Sequence, residues 1–171
     1  GPKLTEAWGQ PVVVENRPGG NTIIGTDALA KSAPDGYAIM VMSSTHVIVP
    51  LLQKDLPYDA IKDFAPILLV GSSPVSIAAN AKAPFKTFEE MLDFARRNPG
   101  KLSYASCGNG TPQHLAGELL ISMAKVDMVH IPYKGCSSAI PDVISGVVPI
   151  AFSTIANVGP HVQSGALRDL A

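Results

Sequence analysis

The chain has 171 residues with 13 basic and 14 acidic side chains, a formal net charge of -1, and 46% apolar against 16% charged residues. That balance excludes disorder and argues against nucleic acid or an anionic membrane as the main partner. No apolar run approaches the ~20 residues of a membrane span, while 15 glycines and 15 prolines predict short elements joined by tight turns.

In chain order, Lys3 to Trp8 reads as the last turns of an amphipathic helix stopped by Gly9. Val12-Val13-Val14 is a β-branched run between Pro11 and the turn Asn16-Arg17-Pro18-Gly19-Gly20, and reads as a strand. Thr22 to Lys31 is a short helix, and Pro34-Asp35-Gly36 turns the chain into a continuous apolar strand, Tyr37 to Met42. Lys54 to Asp63 is a polar connection, followed by strands at Ile67–Val70 and Val75–Ala79. Thr87 with Glu90 forms a capping box for a helix whose stripe is Phe88, Met91, Leu92 and Ala95. Then come a strand at Leu102–Ser106 and a helix at Thr111–Ala124 with Leu115, Leu119 and Met123 on one face. Met128–Tyr133 is a strand, Ser137–Ser145 a helix, Val147–Ser153 a strand and Val158–Ser164 a helix, before Gly165-Ala166-Leu167 opens a last strand. This alternation predicts an α/β protein of β-α-β units on a mostly parallel sheet.

Ligands of such sheets bind beyond the carboxyl ends of strands, which selects Ser43-Ser44-Thr45-His46, Ser106 to Thr111, and Ser153-Thr154. In the middle segment Gly108 and Gly110 let backbone N–H groups approach a ligand, Thr111 is a suitable N-cap and Pro112 fits the first helical position. A helix start of this kind favours an anion, a carboxylate or a phosphate. The same pattern also describes a tight strand–helix turn with an ordinary cap. It lacks the third glycine of a dinucleotide fingerprint and the Gly-Lys-Ser/Thr of a P-loop. His46, His114, His130 and His161 show no metal-ligand spacing, so neither metal nor cofactor is expected. His114 either faces this cleft or bonds to a neighbouring strand, and His130, between Val129 and Ile131, reads as a core histidine. Cys107 and Cys136 occupy equivalent places at the ends of successive strands. Strand spacing of ~4.8 Å is within disulfide reach, which favours a bridge over the alternative of a cysteine-dependent hydrolase or transferase using Cys107 and His114.

Gly9-Gln10-Pro11-Val12-Val13-Val14-Glu15-Asn16-Arg17-Pro18-Gly19-Gly20 and Ala33-Pro34-Asp35-Gly36-Tyr37 resemble the Bug, or TctC-like, extracytoplasmic solute receptors. The resemblance continues through Ser106 to Ala116, His130-Ile131-Pro132-Tyr133-Lys134-Gly135 and Ser164 to Ala171. It implies a periplasmic-binding-protein-like fold of type II. The expected division is a partial first lobe at residues 1–72, a second lobe at 73–165 and the start of a return strand at 166–171. It further implies a non-catalytic periplasmic protein that holds a small carboxylate for the membrane subunits of a tripartite tricarboxylate transporter. Carried onto this chain, Ser106, Gly110, Thr111 and His114 hold one end of the ligand, Ser43, Ser44 and Thr45 line the opposing lobe, and Ser153 and Thr154 lie near the hinge. Family members carry a strand and a glycine-rich loop ahead of the first helix and continue beyond the last stretch matched here. The expected first lobe is therefore incomplete, with an exposed edge open to dimerisation.

Overall fold

Strand pairing decides which of the predicted elements form. The computed structural model describes residues 1–171, and its five strands are β1 (Val75–Asn80), β2 (Leu102–Ser106), β3 (Met128–Pro132), β4 (Ile150–Thr154) and β5 (Leu167–Asp169). They form one sheet in the order β3-β2-β4-β1-β5. β2 runs parallel to β3 (Ser103 opposite Val129) and to β4 (Tyr104 opposite Ile150). β1 is reversed, antiparallel to β4 (Ile77 opposite Phe152) and to β5 (Ala79 opposite Arg168), so the parallel expectation holds except at this strand.

Four helices sandwich the sheet: α4 (Phe88–Arg97), α5 (Pro112–Ala124), α6 (Cys136–Ser145) and α7 (Ile155–Gln163). Side chains alternate across a strand, and here the alternation sorts by size. Ile77, Tyr104, Ile150 and Phe152 point into a core with Phe85, Met91 and Ala95 of the α4 side. Ala78, Ala105 and Ala151 face the other way, against Ala139, Ile140 and Val143 of α6 and Val158 of α7. Thr87 caps α4 by accepting the Glu90 amide at 3.2 Å. The reciprocal bond of the capping box falls one residue early, from the Lys86 amide to Glu90 Oε2 at 2.6 Å. Leu115, Leu119 and Met123 do share a face of α5, but that face is exposed. Ala116, Leu120, Ile121 and Ala124 are the residues that meet the core.

Residues 1–72 contain helices and no strand. The helices are α1 (Pro2–Trp8), ended by Gly9 at φ 64°, α2 (Ile23–Ala30) and α3 (Thr45–Leu52). The strands expected at Val12–Val14, Tyr37–Met42 and Ile67–Val70 are absent. None of these runs makes a backbone–backbone hydrogen bond, and Val13, Tyr37, Val41 and Leu69 are each at least 80% exposed. An extended run becomes a strand only when a neighbour takes up its amides and carbonyls, and no neighbour is there. What order exists is local. His46 bonds the Ala60 carbonyl through Nε2 at 2.7 Å, and its ring meets Phe64 edge-on at 4.9 Å.

Candidate functional site

Because β2, β3 and β4 are parallel and each is followed by a helix, the starts of α5, α6 and α7 gather at one edge of the sheet. The β2–α5 and β3–α6 turns are joined three ways. Tyr133 donates its amide to the Ser106 carbonyl at 3.2 Å, Gly135 donates to the Cys107 carbonyl at 3.1 Å, and Cys107 is disulfide-bonded to Cys136. The bridge removes the thiolate that a cysteine-dependent hydrolase or transferase requires. Cys136 is also the first residue of α6, so the bond fastens a helix start to the neighbouring loop.

Ser106, Gly108, Gly110, Thr111 and His114 come together, but differently from a row of open amides. Thr111 caps α5 by accepting the His114 amide at 3.3 Å, and its hydroxyl donates to the Gly108 carbonyl at 2.7 Å. The Gly108 amide donates to Ser106 Oγ at 3.2 Å, and the Gly110 amide to His114 Nδ1 at 3.1 Å. The Gly108, Gly110, Thr111 and His114 amides therefore already have partners inside the turn. Glycine is required at both positions. Gly108 has φ 128° and Gly110 φ 73°, and a Cβ on Gly110 would sit 2.8 Å from Leu52 of α3. His130 is not a plain core residue: it is half-buried, with Nε2 2.6 Å from Ser106 Oγ and its ring stacked 4.2 Å from that of His114.

Open donors lie at the other two helices. α6 begins after Gly135 at φ 110° and α7 after Thr154, and neither start has a side-chain cap, which leaves their first amides without intrahelical partners. Ser153, only 1% exposed, has a hydroxyl with no hydrogen-bond partner. A buried unpaired hydroxyl costs about 1–3 kcal/mol. Asn157, unnoticed in the sequence, links two helix starts by accepting from Ser137 Oγ at 3.0 Å and donating to Thr154 Oγ1 at 2.7 Å. Its position three residues after a threonine N-cap was the available signal.

Ser43, Ser44 and Thr45 open α3, with Ser43 Oγ donating to Thr45 Oγ1 at 3.0 Å. From residues 1–72 the Gly108–Thr111 turn is approached by Leu52 at the end of α3 and also by the 3₁₀ turn Gly20–Thr22. A Cβ on Gly108 would lie 3.6 Å from Asn21 Oδ1. Asn21 (φ 52°) and Thr22 (φ 76°) both hold left-handed backbone, a strain that for a β-branched threonine survives only when its surroundings impose it.

Charge at this edge is sparse and shifted toward neutrality. Burial, and then the adjacent His114 ring, push His130 below the usual imidazole range. Burial together with Glu118 raises the Tyr104 phenol well above its ordinary value. Burial and its bond to Asp142 push Tyr133 up to about 12. No three histidine, cysteine or carboxylate side chains converge to hold a metal. What the arrangement offers is mainly neutral hydrogen-bond donors and helix starts, chemistry that favours an anion.

The model of the family "TctC: Tripartite tricarboxylate transporter family receptor" matches residues 2–171. The chain belongs to the TctC family. Receptors of this family are periplasmic solute-binding proteins. Protein BugT of Bordetella pertussis is 36% identical over 173 residues, covering 98% of this chain and 52% of BugT. Among solved structures, R. palustris Rpa4515 with adipate superposes with a TM-score of 0.95 at 27% identity, over 99% of this chain and 57% of that one. MatC from Rhodopseudomonas palustris with bound malate gives 0.87 at 27% identity, over 99% of this chain and 58% of that one. The chain spans about half the length of the curated relatives it matches, in keeping with an incomplete lobe in a periplasmic-binding-protein fold.

Proposed function

We propose that this TctC-family chain forms the ligand-holding part of a receptor that captures a small carboxylate in the periplasm and passes it to the membrane subunits of a tripartite tricarboxylate transporter. The observation that carries this reading is the convergence of the α5, α6 and α7 starts at one sheet edge around the unpartnered, buried Ser153 hydroxyl. Helix starts favour anions. The bound adipate and malate of the two neighbours support a dicarboxylate.

In this reading Ser106, Thr111 and His114 shape the α5 turn, and Gly110 lends its amide when the bond to His114 Nδ1 is given up. Ser153 and Thr154 present hydroxyls where α7 begins, and Ser43, Ser44 and Thr45 line the opposing side. The lobes divide near residue 72, with residues 166–171 starting the strand that returns to the first lobe. The unpaired runs at 12–14, 37–42 and 67–70 leave an open edge through which two copies associate, a state that sedimentation measures directly.

Calorimetric titration against mono-, di- and tricarboxylates is expected to select a dicarboxylate. Thr111→Leu, which removes the cap hydroxyl and fills the turn, is expected to abolish that binding while circular dichroism still reports a folded chain. A folded Thr111→Leu variant with unchanged affinity would overturn the site, and no heat or thermal shift with any carboxylate would overturn the function.

A further inference from the structure

Each glycine of the Gly108–Thr111 loop hangs from a histidine. Gly110 does so directly, through His114 Nδ1 at 3.1 Å. Gly108 does so through Ser106, which accepts its amide at 3.2 Å and sits 2.6 Å from His130 Nε2. For His114 Nδ1 to accept, the neutral ring must carry its proton on Nε2, and that nitrogen lies 3.9 Å from Glu118 Oε1. The two rings are stacked 4.2 Å apart with 25° between their planes.

The other titratable groups facing the pair are Tyr104 of β2 and Glu118 of α5. Tyr104 stacks on His130 at 4.9 Å and donates its hydroxyl to Glu118 at 2.6 Å. The loop itself carries no ionisable side chain from Gly108 to Thr111. Imidazole is the side chain whose charge ordinarily changes between about pH 5 and 8. A proton placed on His114 Nδ1 converts the acceptor of the Gly110 amide into a second donor, so that bond cannot persist. Like charges at the ring spacing repel, and burial further opposes charge on His130.

We propose that His114 and His130 are positioning residues whose protonation state sets the main-chain donors of the loop: with both rings neutral the Gly110 amide is turned inward, and with His114 protonated it is released toward an anion. Mild acid then tightens the grip on a carboxylate. The ligand half of this inference rests on the carboxylate-receptor reading, whereas the coupling of proton to loop stands on the hydrogen bonds alone.

The test is a nitrogen-15 NMR titration of the chain from about pH 8 to about pH 5, joined to calorimetry with adipate at about pH 8 and about pH 6. The Gly110 amide resonance is expected to move with the same midpoint as the His114 ring signals. Adipate is expected to bind about tenfold more tightly at the lower pH, the scale of one charge-assisted hydrogen bond gained. In His114→Gln the side-chain oxygen can still accept the Gly110 amide but cannot titrate. Its Gly110 resonance is expected to stay still, with adipate held weakly at both pH values. His130→Phe is expected to keep the Gly110 movement.

A Gly110 resonance that ignores the His114 titration, or a pH dependence of affinity that survives in His114→Gln, would overturn the proposal. A Gly110 resonance that follows His114 while adipate binds at neither pH would sustain the coupling and count against the receptor reading alone.

Discussion

Val12–Val14, Tyr37–Met42 and Ile67–Val70 carry the same signature as Val75–Asn80, Leu102–Ser106 and Ile150–Thr154: short apolar runs bracketed by glycine, proline or serine. The second group forms a ladder in which Ala78, Ala79, Leu102, Tyr104, Ile150 and Ala151 are completely buried. The first group stays extended, unpaired and open to solvent. The difference teaches that an apolar run is a request for partners, and that the fold is decided by whether they are present in register. Residues 75–171 supply one another's neighbours, while residues 1–72 hold together through helices and the small cluster of His46, Tyr58 and Phe64.

The largest contrast is expected between Met91 and Val41. Met91→Ala empties a completely buried site and should cost about 2–5 kcal/mol in urea unfolding followed by circular dichroism. Val41→Ala, at a position 80% exposed, should fall within about 0.5 kcal/mol of the parent. Equal losses would break the comparison.

Gly117→Ala comes next. The new Cβ would lie 2.5 Å from the ring of fully buried Tyr104, so α5 must shift from the sheet at about 1–3 kcal/mol. The nuclear Overhauser effect between Tyr104 and Glu118 should weaken as the helix moves away. A neutral result would mean that α5 rides more loosely on β2 than so narrow a clearance implies.

Removing the Thr87 cap should cost about 1 kcal/mol, visible as a lower melting temperature for Thr87→Ala and partly restored in Thr87→Ser. The smallest effect is pH-dependent. His130 is held below the ordinary imidazole value in the folded chain, so the unfolded chain binds the proton more readily. Its contribution is complete above about pH 6.5 and is lost as pH falls through the depressed folded value. The melting temperature should therefore decline on acidification, more shallowly in His130→Phe. An equal slope in both proteins would remove His130 from the account.

Elements with local instructions were legible from sequence. Thr87 with Glu90, and Thr111 with Pro112, announce helix starts, and Asn98-Pro99-Gly100 announces an end. α3 escaped notice because Thr45–Leu52 is rich in β-branched residues and carries Pro50, which leaves no clear helical period. The missing strands were illegible because pairing is a property of the neighbours and is not written in the run itself. At the candidate site, the pattern of glycines and a cap marked the right turn. Whether its amides were open depended on the orientation of His114 and on Ser106 reaching back to Gly108, neither of which is encoded in spacing. The left-handed backbone of Asn21 and Thr22 was hidden for a related reason, since only the surrounding structure imposes it on a threonine.

Cys107 and Cys136 belong to different β-α units, yet their bond makes the end of one loop and the head of the next helix a single mechanical part. A displacement of the Gly108 turn is thereby transmitted to α6 without passing through the sheet. Two of the three helix starts at this edge are thus tied covalently, and a reducing agent would leave only the Tyr133 and Gly135 amide bonds between them.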